Sequence, residues 1–396
     1  MMLELVLTSR DPVVTRDGRP FGANSGRRMK ALGWLLPSVV AGSVRTMLGK
    51  ELGGQFGDSQ FRDMLKAIEV AGPFPVAMSE SQQRGDMFLP APADVRRGDN
   101  QTCVIARPVT FANGGTDLPA GLRPVCWPAG TAAEKLDPPP VWWTKDAFGK
   151  WLAAQVSTAL SGFFHDAERF RASPDVETRT HVEIDPNSFA AGDGLLFSTA
   201  GLILDGMKVG ERSVDMALTV RVRANGSLLD PILSRFPLLH PVGGERRLVG
   251  FDWERETGTR WNCPQSVADA LTQWVPPLGV RMVLATPAVF TDGWRPGWLK
   301  NGTPPGGPPG LRLKLVGVCN SRAQAVSGWS YETNGPKAIR RVVPAGAVYF
   351  FEVSAGSATD VAALAGRWLE SVSDHQDDRT DGFGLAAWGV WLPEEE

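Results

Sequence analysis

The chain opens on a short apolar run, Leu3-Glu-Leu-Val-Leu7, whose composition predicts a strand. After a loop rich in Arg and Gly the period changes. Pro37 suits a first helical turn, where a missing N–H costs nothing, and Val39 to Leu48 continue as a helix. Asp58 can cap a second helix with Phe61, Met64, Leu65 and Ile68 on one face, and Gly72-Pro73 ends it. From about Ser79 to Pro140 the pattern breaks into Pro, Gly and short apolar pieces, which predicts a long irregular insertion. Helical spacing returns after Thr144, with Phe148, Trp151, Leu152, Val156 and Leu160 on one stripe. A domain boundary is expected just beyond, near Ala172-Ser-Pro174.

The second half is richer in strands. Val214, Met216, Leu218, Val220 and Val222 alternate with Asp215, Thr219, Arg221 and Arg223, the pattern of a half-buried strand, and Asn225-Gly226 follows as a turn. Pro264 to Trp274 predicts a helix, and Val280, Met282 and Leu284 a strand. Asn301 to Gly310, dense in Pro and Gly, predicts a mobile loop. Leu311, Leu313 and Leu315 form another strand, and Ala347 to Val353 a buried one. Asp360 caps a helix running to Val372, and Leu385 to Leu392 is the last strand. Strand, helix, strand at the end predicts a βαβ crossover lying on a sheet. No tandem repeat is present, and two small α+β sheets account for the alternation.

A length of 396 residues favours two domains, here 1–172 and 173–396. With 43% hydrophobic and 21% charged residues the chain can build a sizeable core, and its fourteen tryptophans are expected mainly as core or interface filler. Met1 to Arg10 lacks the features of a signal peptide, and no apolar run approaches the ~18 residues of a membrane helix, so a cytoplasmic location is expected. Cysteines at 103, 126, 263 and 319 have no Cys-x-x-Cys spacing, and the histidines are scattered. Reduced thiols, no metal and no cofactor are therefore expected.

A formal net charge of −2 excludes a grip on nucleic acid through bulk basicity. Its distribution is uneven, however. Arg16, Arg19, Arg27, Arg28, Lys30, Arg45 and Lys50 stand against Asp17 alone, a local +6 between residues 16 and 50. Lys337, Arg340 and Arg341 form a second cluster, while acids collect at Asp374, Asp377, Asp378, Asp381 and Glu394 to Glu396. Such a run is either a solvated face or a local anion site.

Asp381-Gly-Phe-Gly-Leu-Ala-Ala-Trp-Gly389 falls between the last predicted helix and the last strand, where glycines let backbone amides approach a phosphate or base. In that position it resembles the signature of RAMP proteins. Further segments resemble one RAMP family, the 5′-tag-binding subunit of the type III-B (Cmr) CRISPR effector. They are Arg10 to Phe21, Pro37 to Arg45, His181-Val-Glu-Ile-Asp185 with Gly194 to Phe197, Gly243-Gly-Glu-Arg246, Ala285-Thr-Pro287 with Phe290, and Gly293 to Trp298. Gly328-Trp329, Pro336-Lys337 and Val343 to Tyr349 complete the series, so the resemblance spans nearly the whole chain. The family's hairpin-like thumb finds no match in 79–140.

The resemblance implies two ferredoxin-like, RRM-like RAMP domains of α+β class, with irregular insertions and a Gly-rich loop before the last strand. It implies a non-catalytic crRNA-binding subunit that holds the 5′ repeat-derived tag. Its partners would be the crRNA, the polymerase-like large subunit and the backbone RAMP subunits. Arg27, Arg28 and Lys30 would clamp phosphates from a loop. Arg45, one turn beyond Gly42, would face RNA or a surface ion pair. Gly243, Gly244, Arg246 and Arg247 would present cations or make a plain hairpin turn. Trp329, with Lys337, Arg340 and Arg341, would stack a base or fill a core; Gly382 and Gly384 would act through backbone shape. Two rivals remain: a RAMP endoribonuclease using His181, and a scaffold touching only protein. No metal cluster or nucleophile–base pair assembles from the motifs, so no enzymatic activity is expected.

Overall fold

The computed structural model describes residues 1–18, 27–78, 84–111, 116–131, 135–156, 159–209, 212–254, 259–330 and 333–393. Within them the chain is mixed α+β, with seven α-helices and several antiparallel sheets. No helix is long and apolar enough to cross a membrane. Unit 1 comprises Met1–Gly85, Ser173–Glu256 and Gln324–Val342; unit 2 comprises Asp86–Ala172, Thr257–Ala323 and Val343–Glu396. The chain crosses between units five times, and the expected boundary at residue 172 is one of those crossings. Consecutive halves 1–172 and 173–396 are thus replaced by interleaved units, because the strands that complete each sheet lie far apart in sequence.

In chain order unit 1 contains β1 (Met2–Thr8), β2 (Val13–Val14), β3 (Arg27–Arg28), α1 (Pro37–Glu51), α2 (Ser59–Lys66), β4 (Glu69–Met78), β5 (Asp175–Ile184) and β6 (Ala191–Ile203). It continues with β7 (Met216–Arg223), α3 (Gly226–Leu233), β8 (Leu238–Pro241), β9 (Leu248–Glu254), β10 (Gln324–Val326), β11 (Trp329–Ser330), β12 (Gly335–Pro336) and β13 (Arg340–Val342). The main sheet has the order β4–β7–β1–β9–β8, every neighbouring pair antiparallel. Pro37 opens α1, and Val40, Ala41, Val44, Met47 and Leu48 recur on one face. They are buried with Leu3, Leu5 and Leu7 of β1 and Leu218, Val220 and Val222 of β7, each large side chain contributing about 1.5–3 kcal/mol. Asp58 caps α2 as expected, accepting from Gln60 N at 2.9 Å. Gly72-Pro73 does not end that helix, which stops at Lys66, but lies inside β4.

β7 departs from the half-buried expectation, since both of its faces are buried. Thr219 donates to Glu4 Oε1 at 2.6 Å, and Glu4 stands opposite Arg221. Arg84, at the start of the strand Arg84–Pro90, bridges Asp252 at 2.6 Å and Glu254 at 2.9 Å on β9. Asn225, expected in a turn, caps α3 instead by accepting from Ser227 N. A second sheet places β6 between β5 and β2, with β3 pairing parallel to β6 at Phe197 and Ser198.

In unit 2 the strand Gly279–Leu284 lies between Val348–Ala355 and Leu385–Trp391, with Arg312–Cys319 and Glu370–Ser371 at the edges. Val348–Ala355 and Leu385–Trp391 are both antiparallel to the strand between them and so parallel to each other. The expected crossover is present, but its helix is only Ala358–Ala362 plus one 3-10 turn. Ser357 rather than Asp360 is its N-cap, and the two form a reciprocal capping box. Residues 301–310 are bonded in place: Arg367 donates to Pro305 O at 3.1 Å and Leu313 N to Gly302 O at 2.7 Å. The 79–140 stretch is likewise less irregular than expected, holding the strands Arg84–Pro90, Val95–Gly98 and Thr102–Ile105. Their short apolar pieces are buried, which a window spanning several turns averages away. The helix Lys145–Leu152 stops before Val156 and Leu160, because Ala154 takes a φ of 55°.

One buried charge pair lies inside this unit. Arg281, on Gly279–Leu284, holds Nη1 3.7 Å from Asp94 Oδ2, and its guanidinium sits 3.8 Å from the centre of the Trp151 ring. Both side chains are almost fully buried. Burial raises the Asp94 pKa from 3.8 to about 7, outweighing the opposing pull of Arg281, Arg107 and Arg96. The folded state therefore binds the extra proton. Stability from this source is full below about pH 4 and is lost as pH rises through 7. Asp94→Asn should abolish that dependence. Relative to wild type it should gain on the order of a few kcal/mol between pH 4.5 and 7.5, measured by denaturant unfolding. A constant difference across that range refutes the assignment.

Candidate nucleic-acid interface

The short strand β2 and the residues after it tie together segments from three distant parts of unit 1. Val14 pairs with Gly201 of β6, and its carbonyl accepts from Gly244 N at 2.8 Å. Gly243 has a φ of 75°, and a Cβ there would run into the Val14 carbonyl; at Gly244 it would come within 2.9 Å of Val14 Cγ1. Both glycines are thus required by close approach. Farther along, Gly18 N donates to Ala325 O at 3.0 Å, and a Cβ there would sit tightly, 3.0 Å from the Val326 backbone. Asp17 N donates to Lys30 O at 3.1 Å, Arg16 bridges Ala31, and Met29 N donates to Ser198 O at 2.8 Å. The opening loop, the 243–247 turn and the 324–342 hairpin therefore adjoin one backbone. Arg19 lies outside the described residues.

The turn organises its own charges. Glu245 and Arg246 both adopt left-handed φ values, 57° and 53°. Arg247 donates to Glu245 Oε2 at 2.7 Å, and His181 Nε2 lies 2.9 Å from Thr199 Oγ1 and 3.6 Å from Glu245 Oε1. Partial burial works against the Glu245 anion, yet hydrogen bonds from Thr199 and Arg247 and the nearby cations hold its pKa below the usual value. The His181 ring stacks on Phe197 at 5.1 Å between centres. His181 and Arg247 are thus engaged within the fold. Just past the end of β5, Asp185 closes the β5–β6 hairpin by accepting from Asn187 N and Ser188 N, each at 2.8 Å.

The 324–342 segment is one hairpin. β10 pairs with β13, Ala325 facing Arg341 and Val326 facing Arg340, and β11 pairs with β12, Trp329 facing Pro336. Lys337 N donates to Gly328 O at 2.8 Å, and Ser327 Oγ to Lys337 O at 2.7 Å. Arg16, Lys30, Arg246, Lys337 and Arg341 are exposed and have no ion-pair partner among the described residues. That leaves uncompensated positive charge on adjoining segments, a local field suited to a polyanion.

The family model for CRISPR-associated protein (Cas_Cmr3) matches residues 5–391. The chain belongs to the Cas_Cmr3 family. It is therefore a subunit of the Cmr type of CRISPR effector, as the motif series implied. No curated protein sequence matches it significantly. Among solved structures it is similar to a chain of the type III-B Cmr-beta complex bound to cognate target RNA, at 12% identity and a TM-score of 0.46, over 88% of this chain and 86% of that one. It is also similar to a chain of a Csm3–Csm4 subcomplex from a type III-A interference complex, at 9% identity and a TM-score of 0.36, over 89% and 98%.

Several residues expected at the interface of this Cas_Cmr3 chain serve the fold. Arg45 turns inward, its Nε and Nη2 donating to Ile68 O at 3.0 and 2.8 Å, so it ties α1 to the chain leading into β4. Gly382 and Gly384 belong to unit 2 and are buried. Their φ values of 85° and 69° fit the expected backbone role, but the run is closed by Thr286 Oγ1 donating to Gly382 O at 2.7 Å and by Ser373 packed against Gly384. Arg27 and Arg28 form β3 rather than a loop. Gly18 escaped the sequence reading, because one glycine in an Arg-rich loop carries no periodic signal.

Gly384→Ala places a Cβ on Ser373 Oγ and 2.9 Å from Ser373 N at a positive φ. It should destabilise unit 2 by more than ~1 kcal/mol, visible as a lower Tm in calorimetry. RNA affinity of the folded variant should be unchanged; a stable variant that loses RNA would return this run to the interface.

Proposed function

We propose that this chain is a non-catalytic crRNA-binding subunit of a type III-B CRISPR interference complex in the cytoplasm. It holds the 5′ repeat-derived tag and bridges the polymerase-like large subunit to the backbone RAMP subunits. Each unit is read as a ferredoxin-like RAMP domain. In support, numbering each unit's four main strands in chain order, both sheets run 2-3-1-4. These are β4–β7–β1–β9 in unit 1, and Arg312–Cys319, Val348–Ala355, Gly279–Leu284 and Leu385–Trp391 in unit 2.

The observation that carries the reading is the set of five exposed cations, without an ion-pair partner among the described residues, on segments that meet at β2 and Gly18. A chain of net charge −2 with its free cations so placed grips one short stretch of phosphates and avoids indiscriminate binding. Loops and turns next to a sheet give backbone donors access to unpaired nucleotides, the form in which RNA sequence is read. The endoribonuclease reading is weaker, since His181 is held by Thr199 and stacked on Phe197. A protein-only scaffold would need an acidic partner surface opposite these cations.

The test is crRNA affinity across a salt series. Replacing Lys30, Arg246, Lys337 and Arg341 together by Gln should flatten the log K against log salt slope by up to about three, at ~0.7 per single-stranded phosphate contact. Arg45→Gln should lower Tm while leaving the slope unchanged. An unaltered slope in the quadruple variant, with wild type binding well, assigns these cations to something other than RNA.

A further inference from the structure

Of the fourteen tryptophans, all among the described residues, Trp329 alone is exposed, at 50%. A large apolar ring in water is unfavourable to retain, and the other thirteen are at least half withdrawn from solvent. Among the described residues Trp329 touches no other aromatic ring, and its indole N–H has no partner. Its place is defined by the backbone. Trp329 stands directly across the β11–β12 pair from exposed Pro336, so the two rings lie within cross-strand contact range of each other. Lys337 follows at once, its amide bonded to Gly328 O, and its ammonium has no ion-pair partner among the described residues. A flat apolar surface beside a free cation matches a nucleotide, which offers a π-face on one side and a phosphate on the other.

We infer that the Trp329–Pro336 pair is a stacking platform for one unpaired RNA base, with Lys337 as the contact to its phosphate. This rests on the RNA-binding reading above and adds to it the form of the ligand: single-stranded RNA, because a base paired within a helix presents no free face. The platform is tolerant of base identity, as stacking needs only a π-face. It supplies affinity and position at this point of the strand, and discrimination between bases comes from other groups.

The test uses the full chain, crRNA carrying 2-aminopurine at successive tag positions, and the same RNA annealed to its complement. Wild type should change 2-aminopurine fluorescence at one position in the single strand and not in the duplex. Trp329→Ala should remove that signal and weaken binding about tenfold or more without altering the salt slope, since no charge is lost. Trp329→Phe should restore most of both, and Lys337→Gln should flatten the slope while keeping the signal. The hairpin arm is exposed, so the Tm of each variant should match wild type. If wild type does not bind the RNA, the RNA-binding reading falls and this inference falls with it. If wild type binds and Trp329→Ala binds equally well with the signal intact, the platform alone is refuted. Loss of a partner subunit from Trp329→Ala with RNA binding untouched also refutes it, making the ring a protein contact.

Discussion

β1 pairs on both of its edges, with β7 on one side and β9 on the other, and joins the two halves of the main sheet of unit 1. Its alternation does two things at once. Leu3, Leu5 and Leu7 go to the helical side, where α1 covers them; Glu4 goes to the other face, where it meets Thr219 and Arg221. A buried carboxylate is tolerated only if it is hydrogen-bonded or paired, so the register of β1 against β7 is specified by polar as well as apolar contacts. A slip of one residue would place Glu4 among leucines and Leu5 among charges.

From that frame the candidate interface follows by short range. β1 leads into β2, and β2 into the loop that ends at Gly18. Glycines at 18, 243 and 244 allow three segments to approach within backbone hydrogen-bonding distance, where a Cβ would sit tightly or intrude. The cations carried by those segments divide into two sorts. Arg45 and Arg247 spend their donors on Ile68 O and Glu245 and hold the scaffold. Lys30, Arg246, Lys337 and Arg341 are left facing solvent. A guanidinium that already bonds the fold is a weak partner for a mobile phosphate, because binding would first have to break existing hydrogen bonds.

Unit 2 repeats the strand order. Its Gly-rich run is packed shut against Thr286 and Ser373, and its buried Asp94–Arg281 pair is placed between strand and helix under the Trp151 ring. Fourteen tryptophans serve this protein chiefly as core volume, and the exception at Trp329 stands out for that reason.

The sequence by itself determined most elements and their type: the β1 leucines, Pro37 at the start of α1, the Asp58 cap, the helix after Pro264 and the closing strand all carry local signals of period, cap or turn. The ordered series of short motifs also determined the family. Local chemistry further marked the basic window and the hairpin cations, since charge clustering is visible without a fold. Tertiary structure alone decided which strands share a sheet, because β1 pairs with strands more than two hundred residues away and periodicity carries no partner information. It alone moved the 324–342 hairpin into unit 1 beside Gly18. It also decided that Arg45 and the Gly382–Gly384 run face inward, since a side chain's direction depends on which acceptor or neighbour the completed fold brings within a few ångströms.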